Sequence, residues 1–209
     1  MTVLSYLAAI ATGYLLGSFP SGYVVGRLRG IDLRQWGSGS LGGTNVLRSA
    51  GPWAAILAVL GDVAKGVLAI FVARALVGSP SAEVLTGLSV ILGHDFSIFL
   101  TFNGGRGVAT TLGALVALYL PASLILALLG LAVIAISRYA SLASLTIATV
   151  MPFVMLYLVL FADKPVWYLV YGLTAGTLIV VLHKGNIQRL LAGTERKIGE
   201  KGERRERVP

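Results

Sequence analysis

Cysteine is absent from the 209 residues, which removes disulfides, thiolate nucleophiles and thiolate metal sites at once. Acidic residues are scarce as well, nine against 17 Lys and Arg. Outside the C-terminal run they are only Asp32, Asp62, Glu83, Asp95 and Asp163, and no two are close enough in sequence to form a local metal cluster. A two-metal or Mg²⁺-carboxylate phosphotransferase is therefore disfavoured, no metal ligands are assigned, and no cofactor is expected. Neither His94 nor His183 has an Asp four or five residues later, and no Gly-x-Ser-x-Gly elbow occurs. The His-Asp acyltransferases and the Ser-His-Asp hydrolases both lack their machinery here.

Hydrophobic residues, by contrast, make up 56% of the chain and charged ones only 12%, with a mean hydropathy of +0.84. Such a chain takes lipid as its main solvent. A net charge of +8 could point to nucleic acid. In so apolar a chain it is more simply the excess of Lys and Arg that membrane proteins keep in their cytoplasmic loops, and no nucleic-acid partner is expected. The first apolar run lacks a basic leader and continues into Gly17-Ser18-Phe19-Pro20 without a clear cleavage site, so it reads as a retained span.

A bilayer core of about 30 Å needs about 20 apolar helical residues. The pattern predicts an all-α polytopic membrane protein with spans near 3–26, 52–77, 82–100, 108–120, 121–137, 140–161 and 165–182. The stretch 108–137 decides the topology. As one helix it would run about 45 Å at 1.5 Å per residue, and a single crossing would put the basic tail opposite Arg34, Arg48 and Arg106. A turn back near Pro121 gives about seven spans, with the N-terminus outside and the C-terminus cytoplasmic. All Lys and Arg but Lys65, Arg74 and Lys164 then share the cytoplasmic side, and this is the topology expected. Residues 1–193 are read as one transmembrane domain and 194–209 as a charged tail without structure.

Every polar motif falls on that expected cytoplasmic face. Residues Gly37 to Arg48 carry Ser38, Gly39, Gly42, Thr44 and Asn45, where glycines let backbone N–H groups approach an anion and small hydroxyls and amides add neutral donors. Thr44 and Arg48 would share one face of a helix. A flexible linker with a topogenic arginine is the bland alternative, and no Gly-Lys-Ser/Thr closes a Walker loop. The run Gly104, Gly105, Arg106, Gly107 ahead of Thr110 repeats the arrangement, against the plain reading of a tight turn. Ser141 and Ser144 stand at i, i+3 after Arg138, where small hydroxyls ordinarily serve helix packing. His183 and Asn186 follow the last span, and the basic residues beyond them could simply attract anionic headgroups. His94 reads first as a hydrogen-bonded helix-end residue. Asp62 and Lys65, three apart inside a span, are expected to pair. What remains is a site able to hold phosphates but poor in strong bases, which suits a substrate that arrives activated.

Taken in order, these segments resemble the bacterial acyl-phosphate:glycerol-3-phosphate acyltransferases. The likeness runs from Gly17-Ser18-x-Pro20 through Gly37-Ser38-Gly39, Thr44-Asn45-Val46-x-Arg48, Gly93-His94-x-Phe96 and Phe102-x-Gly104-Gly105-x-Gly107-Val108-Ala109-Thr110. It continues through Arg138-Tyr139-x-Ser141-Leu142-x-Ser144 to His183-x-x-Asn186-Ile187-x-Arg189 and Gly193-Thr194-Glu195-x-Lys197. Two places depart: Ser40 to Gly43 stand where the family has Asn-Pro-Gly-Ala, and Asn103 and Arg106 where it has Lys.

The resemblance implies a bacterial inner-membrane enzyme, acting as a monomer and starting phospholipid synthesis. It would move an acyl group from acyl phosphate to the sn-1 hydroxyl of glycerol 3-phosphate, with its site facing the cytoplasm. Ser38, Arg48, Arg106, Ser144, His183 and Asn186 are then the expected catalytic residues. Gly39, Gly42, Thr44, Asn45, Gly104, Gly105, Gly107, Thr110 and Ser141 are the expected substrate contacts. A transporter of a phosphorylated solute is the rival from another class, but the motifs do not repeat between the two halves of the chain.

Overall fold

The structure, a computed structural model, describes residues 2–204. Its ordered elements are helices: α1 (Val3–Ser18), α2 (Ser21–Leu28), α3 (Gly43–Ala50), α4 (Pro52–Leu76), α5 (Pro80–Asp95), α6 (Val108–Ser137), α7 (Ala140–Phe161), α8 (Trp167–Leu182) and α9 (Lys184–Leu191). Among the described residues, five stretches are long and apolar enough to cross a membrane: Val3–Leu28, Pro52–Leu76, Pro80–Leu100, Val108–Ser137 and Ala140–Phe161. A sixth is added if α8 and α9, bent by 60°, count as one.

Local chemistry sets the boundaries. Pro52 and Pro80 open α4 and α5 at positions where a missing N–H costs nothing. Ser79 caps α5 by accepting from the Ala82 amide. Phe19 and Pro20 break the first span into α1 and α2.

The core is apolar and narrow. Ile70, Val84, Ile91, Leu115, Leu126, Met151, Met155, Tyr171 and Ile179 are fully enclosed between α4, α5, α6, α7 and α8. Leu7, Leu60, Phe71, Leu128, Phe153 and Leu173 point outward and stay exposed. Apolar on both faces, such helices are at home only in hydrocarbon. Helices α4 and α6 meet closely because Gly66 lies against the Thr110 carbonyl and Gly113 against the Val63 backbone, where any Cβ would collide.

Helix α6 does not run straight. Tyr119 leaves helical geometry at φ −159°, ψ 94°, two residues ahead of Pro121. The chain then folds back so far that the Ser123 hydroxyl donates to the Leu112 carbonyl at 2.9 Å, eleven residues earlier; in an unbroken helix that separation is about 16 Å. Pro121 has no N–H to offer the Ala117 carbonyl. That carbonyl accepts instead from Arg74 Nη2 at 2.7 Å, and the neighbouring Leu118 carbonyl from Tyr168 at 3.0 Å. The apex of α6 thus sits with the Arg74–Glu83 ion pair. Both ends of α6 reach the opposite side of the molecule: Gly104 carries the chain to Leu41, and Arg138 exchanges hydrogen bonds with Ile198.

The C-terminal segment departs from the expected structureless tail. Residues 194–204 lie along this end of the bundle. The Ile198 amide donates to the Arg138 carbonyl, the Gly202 amide to that of Arg48, and the Gly37 amide to that of Glu203; an isolated bridge joins Trp36 to Arg204. Backbone polar groups of the α2–α3 loop, of α3 and of the α6–α7 turn supply partners that composition does not reveal. The last five residues of the expected tail lie outside the described ones.

Candidate active site

The site is built where α3, the start of α6, the start of α7, α9 and the C-terminal segment converge. Its centre is Glu195. Oε1 accepts from the Ser141 hydroxyl and from Asn186 Nδ2, both at 2.7 Å, and Oε2 accepts from Arg189 Nε at 2.7 Å. Its side chain is 6% exposed. Burial pushes the Glu195 carboxyl up, but the donors Ser141, Asn186 and Arg189 outweigh it and hold the group below the usual carboxylate range.

Two arginines flank this carboxylate. Arg48 donates through Nη2 to the Arg196 and Lys197 carbonyls at 2.6 and 3.3 Å, while its buried Nε has no partner among the described residues. Burial lowers its pKa and Glu195 raises it. Arg106 is half-buried, with no ion pair or hydrogen bond among the described residues. Burial and then Arg189 pull its pKa below the usual arginine value, Glu195 opposing them. It also lies within electrostatic range of His183. A partly desolvated guanidinium without a counter-ion leaves its fork of donors for an anion from solution.

His183 lies at the 60° bend between α8 and α9 and is 2% exposed. Its Nδ1 is 2.8 Å from the Ile179 carbonyl, which can only accept, so Nδ1 carries the proton and the neutral ring presents Nε2 as an acceptor. Asn186 keeps a buried Oδ1 without a partner among the described residues.

The two glycine-rich loops differ from the expected backbone cradles. In the first, most N–H groups are committed within the loop or to its neighbours. The Ser38 amide donates to Asn45 Oδ1, that of Gly39 to the Trp36 carbonyl, that of Gly42 to Ser40 Oγ and that of Leu41 to the Gly104 carbonyl. Asn45, expected to touch phosphate, spends Nδ2 on the Leu33, Trp36 and Ser40 carbonyls; it ties the loop that presents Ser38. Thr44, in the first turn of α3, is partly open, and the exposed Ser38 hydroxyl accepts from the Ser40 amide at 3.4 Å.

In the second loop, Gly104 and Gly105 pack against the His94 carbonyl and ring, where any Cβ would overlap. Gly107, at φ +70°, caps α6 in the left-handed region. Asn103 turns its amide to the Thr101 carbonyl and is exposed. Thr110 is buried in the α4–α6 contact with its hydroxyl unpartnered among the described residues, and Ser144 donates to the Ala140 carbonyl of its own helix.

The structure therefore gathers Arg48, Arg106, Ser141, His183 and Asn186 around a carboxylate, while Asn45, Asn103 and Thr110 serve their own surroundings. Sequence reasoning left Glu195 and Arg189 out of the site because both stand in a stretch that reads as solvated charge. The available signal was Glu195 itself, an acid nine residues after Asn186.

The depressed Glu195 carboxyl makes stability depend on pH. A carboxylate held below its unfolded value of about 4.3 stabilises the fold fully above that pH and loses this contribution as pH falls through the folded value. The melting temperature in detergent is expected to drop between pH 5 and 3, and more steeply for the wild type than for Glu195→Gln. Parallel profiles for the two proteins would contradict this.

An apolar helical bundle carrying a cation, amide and hydroxyl cluster at one end defines an integral membrane protein whose site suits an anionic ligand. The glycerol-3-phosphate acyltransferase family model matches residues 7–193. A glycerol-3-phosphate acyltransferase of Moorella thermoacetica is 46% identical over 198 residues, covering 94% of this chain and 99% of that protein. One from Synechococcus sp. (strain CC9902) is 44% identical over 201 residues, covering 96% and 98%. The chain belongs to the glycerol-3-phosphate acyltransferase family. It is also similar to crystal structures of PlsY, an integral membrane glycerol 3-phosphate acyltransferase. The glycerol 3-phosphate form superposes with a TM-score of 0.85 at 38% identity, covering 93% of this chain and 96% of that one. The lysophosphatidic acid form gives 0.84 at 37%, with the same coverage.

Proposed function

We propose that this acyltransferase takes its acyl group from acyl phosphate and delivers it to the sn-1 hydroxyl of glycerol 3-phosphate. The glycerol oxygen attacks the acyl carbon, the carbon–oxygen bond to phosphate breaks, and the products are lysophosphatidic acid and inorganic phosphate. The observation that carries the reading is Arg106, partly desolvated and without an anionic partner among the described residues, beside Arg48, His183 and Asn186. Two anionic reactants need this surplus of cation if they are to be held together.

Arg48, Arg106 and the open first turn of α3 with Thr44 hold phosphate, and Ser38 stands at the edge of the same loop. Gly39 and Gly42 shape that loop, and Gly104, Gly105 and Gly107 shape the turn bearing Arg106. His183 Nε2 accepts from the sn-2 hydroxyl, leaving the sn-1 proton free for the departing phosphate; Asn186 with Ser141 fixes the glycerol's position, and Ser144, its own O–H spent on Ala140, offers its lone pairs. The departing phosphate takes the hydroxyl proton, so orientation and charge stabilisation carry the catalysis. A histidine base would instead show as a loss of about 10²–10⁴-fold in His183→Ala, with a vanished pKa near 6–7 in the rate profile.

The folded-back α6 supports seven crossings; the excess of Lys and Arg at the site's end supports a cytoplasmic face in a bacterial inner membrane, with the N-terminus outside, and one chain is taken as sufficient for activity. The deciding experiment gives purified protein palmitoyl phosphate and glycerol 3-phosphate without added metal. Lysophosphatidic acid and phosphate are expected in equal amounts. Activity with acyl-CoA and none with acyl phosphate would sink the reading.

A further inference from the structure

Asp62 and Lys65, one turn apart on α4, are 2% and 4% exposed. Lys65 Nζ lies 2.9 Å from Asp62 Oδ1 and 2.7 Å from His94 Nδ1, and donates to the Phe19 carbonyl at 3.2 Å. Asp62 Oδ1 is also 3.4 Å from His94 Nδ1. Burying two ions carries a heavy desolvation cost, and the proposed chemistry uses neither.

What the pair holds is His94. An ammonium offers donors only, so its contact makes Nδ1 the acceptor and places the ring proton on Nε2. The Nε2 edge of the ring packs on Gly105, the Gly105 amide donates to the His94 carbonyl at 3.1 Å, and Gly104 lies against the His94 and Asp95 carbonyls. On the other side of Arg106, a Cβ on Gly107 would stand 3.1 Å from Asp95 Oδ2. The Asp95 side chain is 4% exposed, and its carboxyl oxygens lack hydrogen bonds among the described residues; it sits beside the N-terminus of α6. The backbone flanking Arg106 thus rests on two side chains of α5, one of them fixed by Lys65. The first loop leans on the same turn through Leu41 and Gly104.

We propose that Lys65 and Asp62 are positioning residues: from inside the membrane they lock His94, which sets the Gly104–Gly107 backbone and so aims the Arg106 guanidinium at the phosphate. The catalytic half of this statement rests on the acyltransfer reading above. The structural half stands by itself.

Two measurements test it. Hydrogen exchange by mass spectrometry on Lys65→Met is expected to show the 101–107 peptide exchanging about tenfold faster, with α7 unchanged. In the acyl phosphate assay, Lys65→Met is expected to lose about 10- to 100-fold in kcat/KM for glycerol 3-phosphate. The same change made in Arg106→Ala should cost almost nothing further, because both act through one group. Lys65→Arg, which keeps the charge, should recover most of the loss.

Unchanged exchange at 101–107, or losses that multiply in the double variant, would overturn the proposal. Should Lys65→Met fail to fold, the near-isosteric Asp62→Asn is read by the same two measurements, and faster exchange throughout the bundle would mark a general scaffold role and overturn it equally. Local loosening at 101–107 in a protein that makes no lysophosphatidic acid would refute the acyltransfer reading and leave the structural half standing.

Discussion

Replacing Arg106 with alanine is expected to lower kcat/KM for glycerol 3-phosphate by about 10²–10³-fold, which corresponds to roughly 3–4 kcal/mol of lost transition-state stabilisation. The expectation follows from its surroundings. Three other cations of this end are already engaged: Arg48 with two carbonyls, Arg189 with Glu195, Arg138 with Ile198. Arg106 has no such partner among the described residues, so under the proposed function its removal takes away charge kept for the substrate. Folding should be spared for the same reason, with the melting temperature nearly unchanged. Arg106→Lys keeps the charge, and Lys is the residue found there in the family that the motifs resemble, so it should stay within about tenfold of the parent. The measurement is initial rate against glycerol 3-phosphate at saturating acyl phosphate. An alanine variant within threefold of the parent would remove Arg106 from the chemistry.

Glu195→Ala should act in the opposite manner, on the fold more than on any single step. Its loss leaves the Ser141 hydroxyl, the Asn186 amide and the Arg189 guanidinium facing one another without an acceptor. Stranding hydrogen-bonded donors, one of them charged, costs roughly 3 kcal/mol. The variant is expected to melt several degrees lower in detergent and to lose most activity, because Asn186 and Ser141 no longer hold position. Glu195→Gln keeps an acceptor for one donor and should fall between. Equal melting temperatures for alanine variant and parent would show that the three donors find other partners.

The bundle was legible in the sequence because lipid imposes a blunt requirement: runs of about 20 apolar residues with no surface to hide. Proline marks read well too. The break in α6 falls at Tyr119 rather than at Pro121 itself: the proline disfavours helical geometry at Leu120 and strips a donor from the Ala117 carbonyl, and the chain turns between the two. The Asp62–Lys65 pair was readable from its spacing; the entry of His94 into it was not, because that contact joins residues 29 apart. The loop around Asn45 shows a sharper limit. A string of glycines, serines and an asparagine has the chemistry to receive an anion and equally the chemistry to bond to itself, and only coordinates reveal that most of its amides are spent internally. Glu195 was passed over for a related reason: Arg189 and Asn186 stand six and nine residues before it among many other charges, and Ser141 is 54 residues away on α7.

That carboxylate also fixes an order of events. Membrane helices enter the bilayer as the ribosome makes them, N-terminal first, and Glu195 follows all nine α-helices of the described residues. Until it emerges, Ser141 and Asn186 lack the acceptor they share, so insertion is expected to precede competence. A chain stopped at residue 193 should reach the membrane, keep its topology, and remain silent.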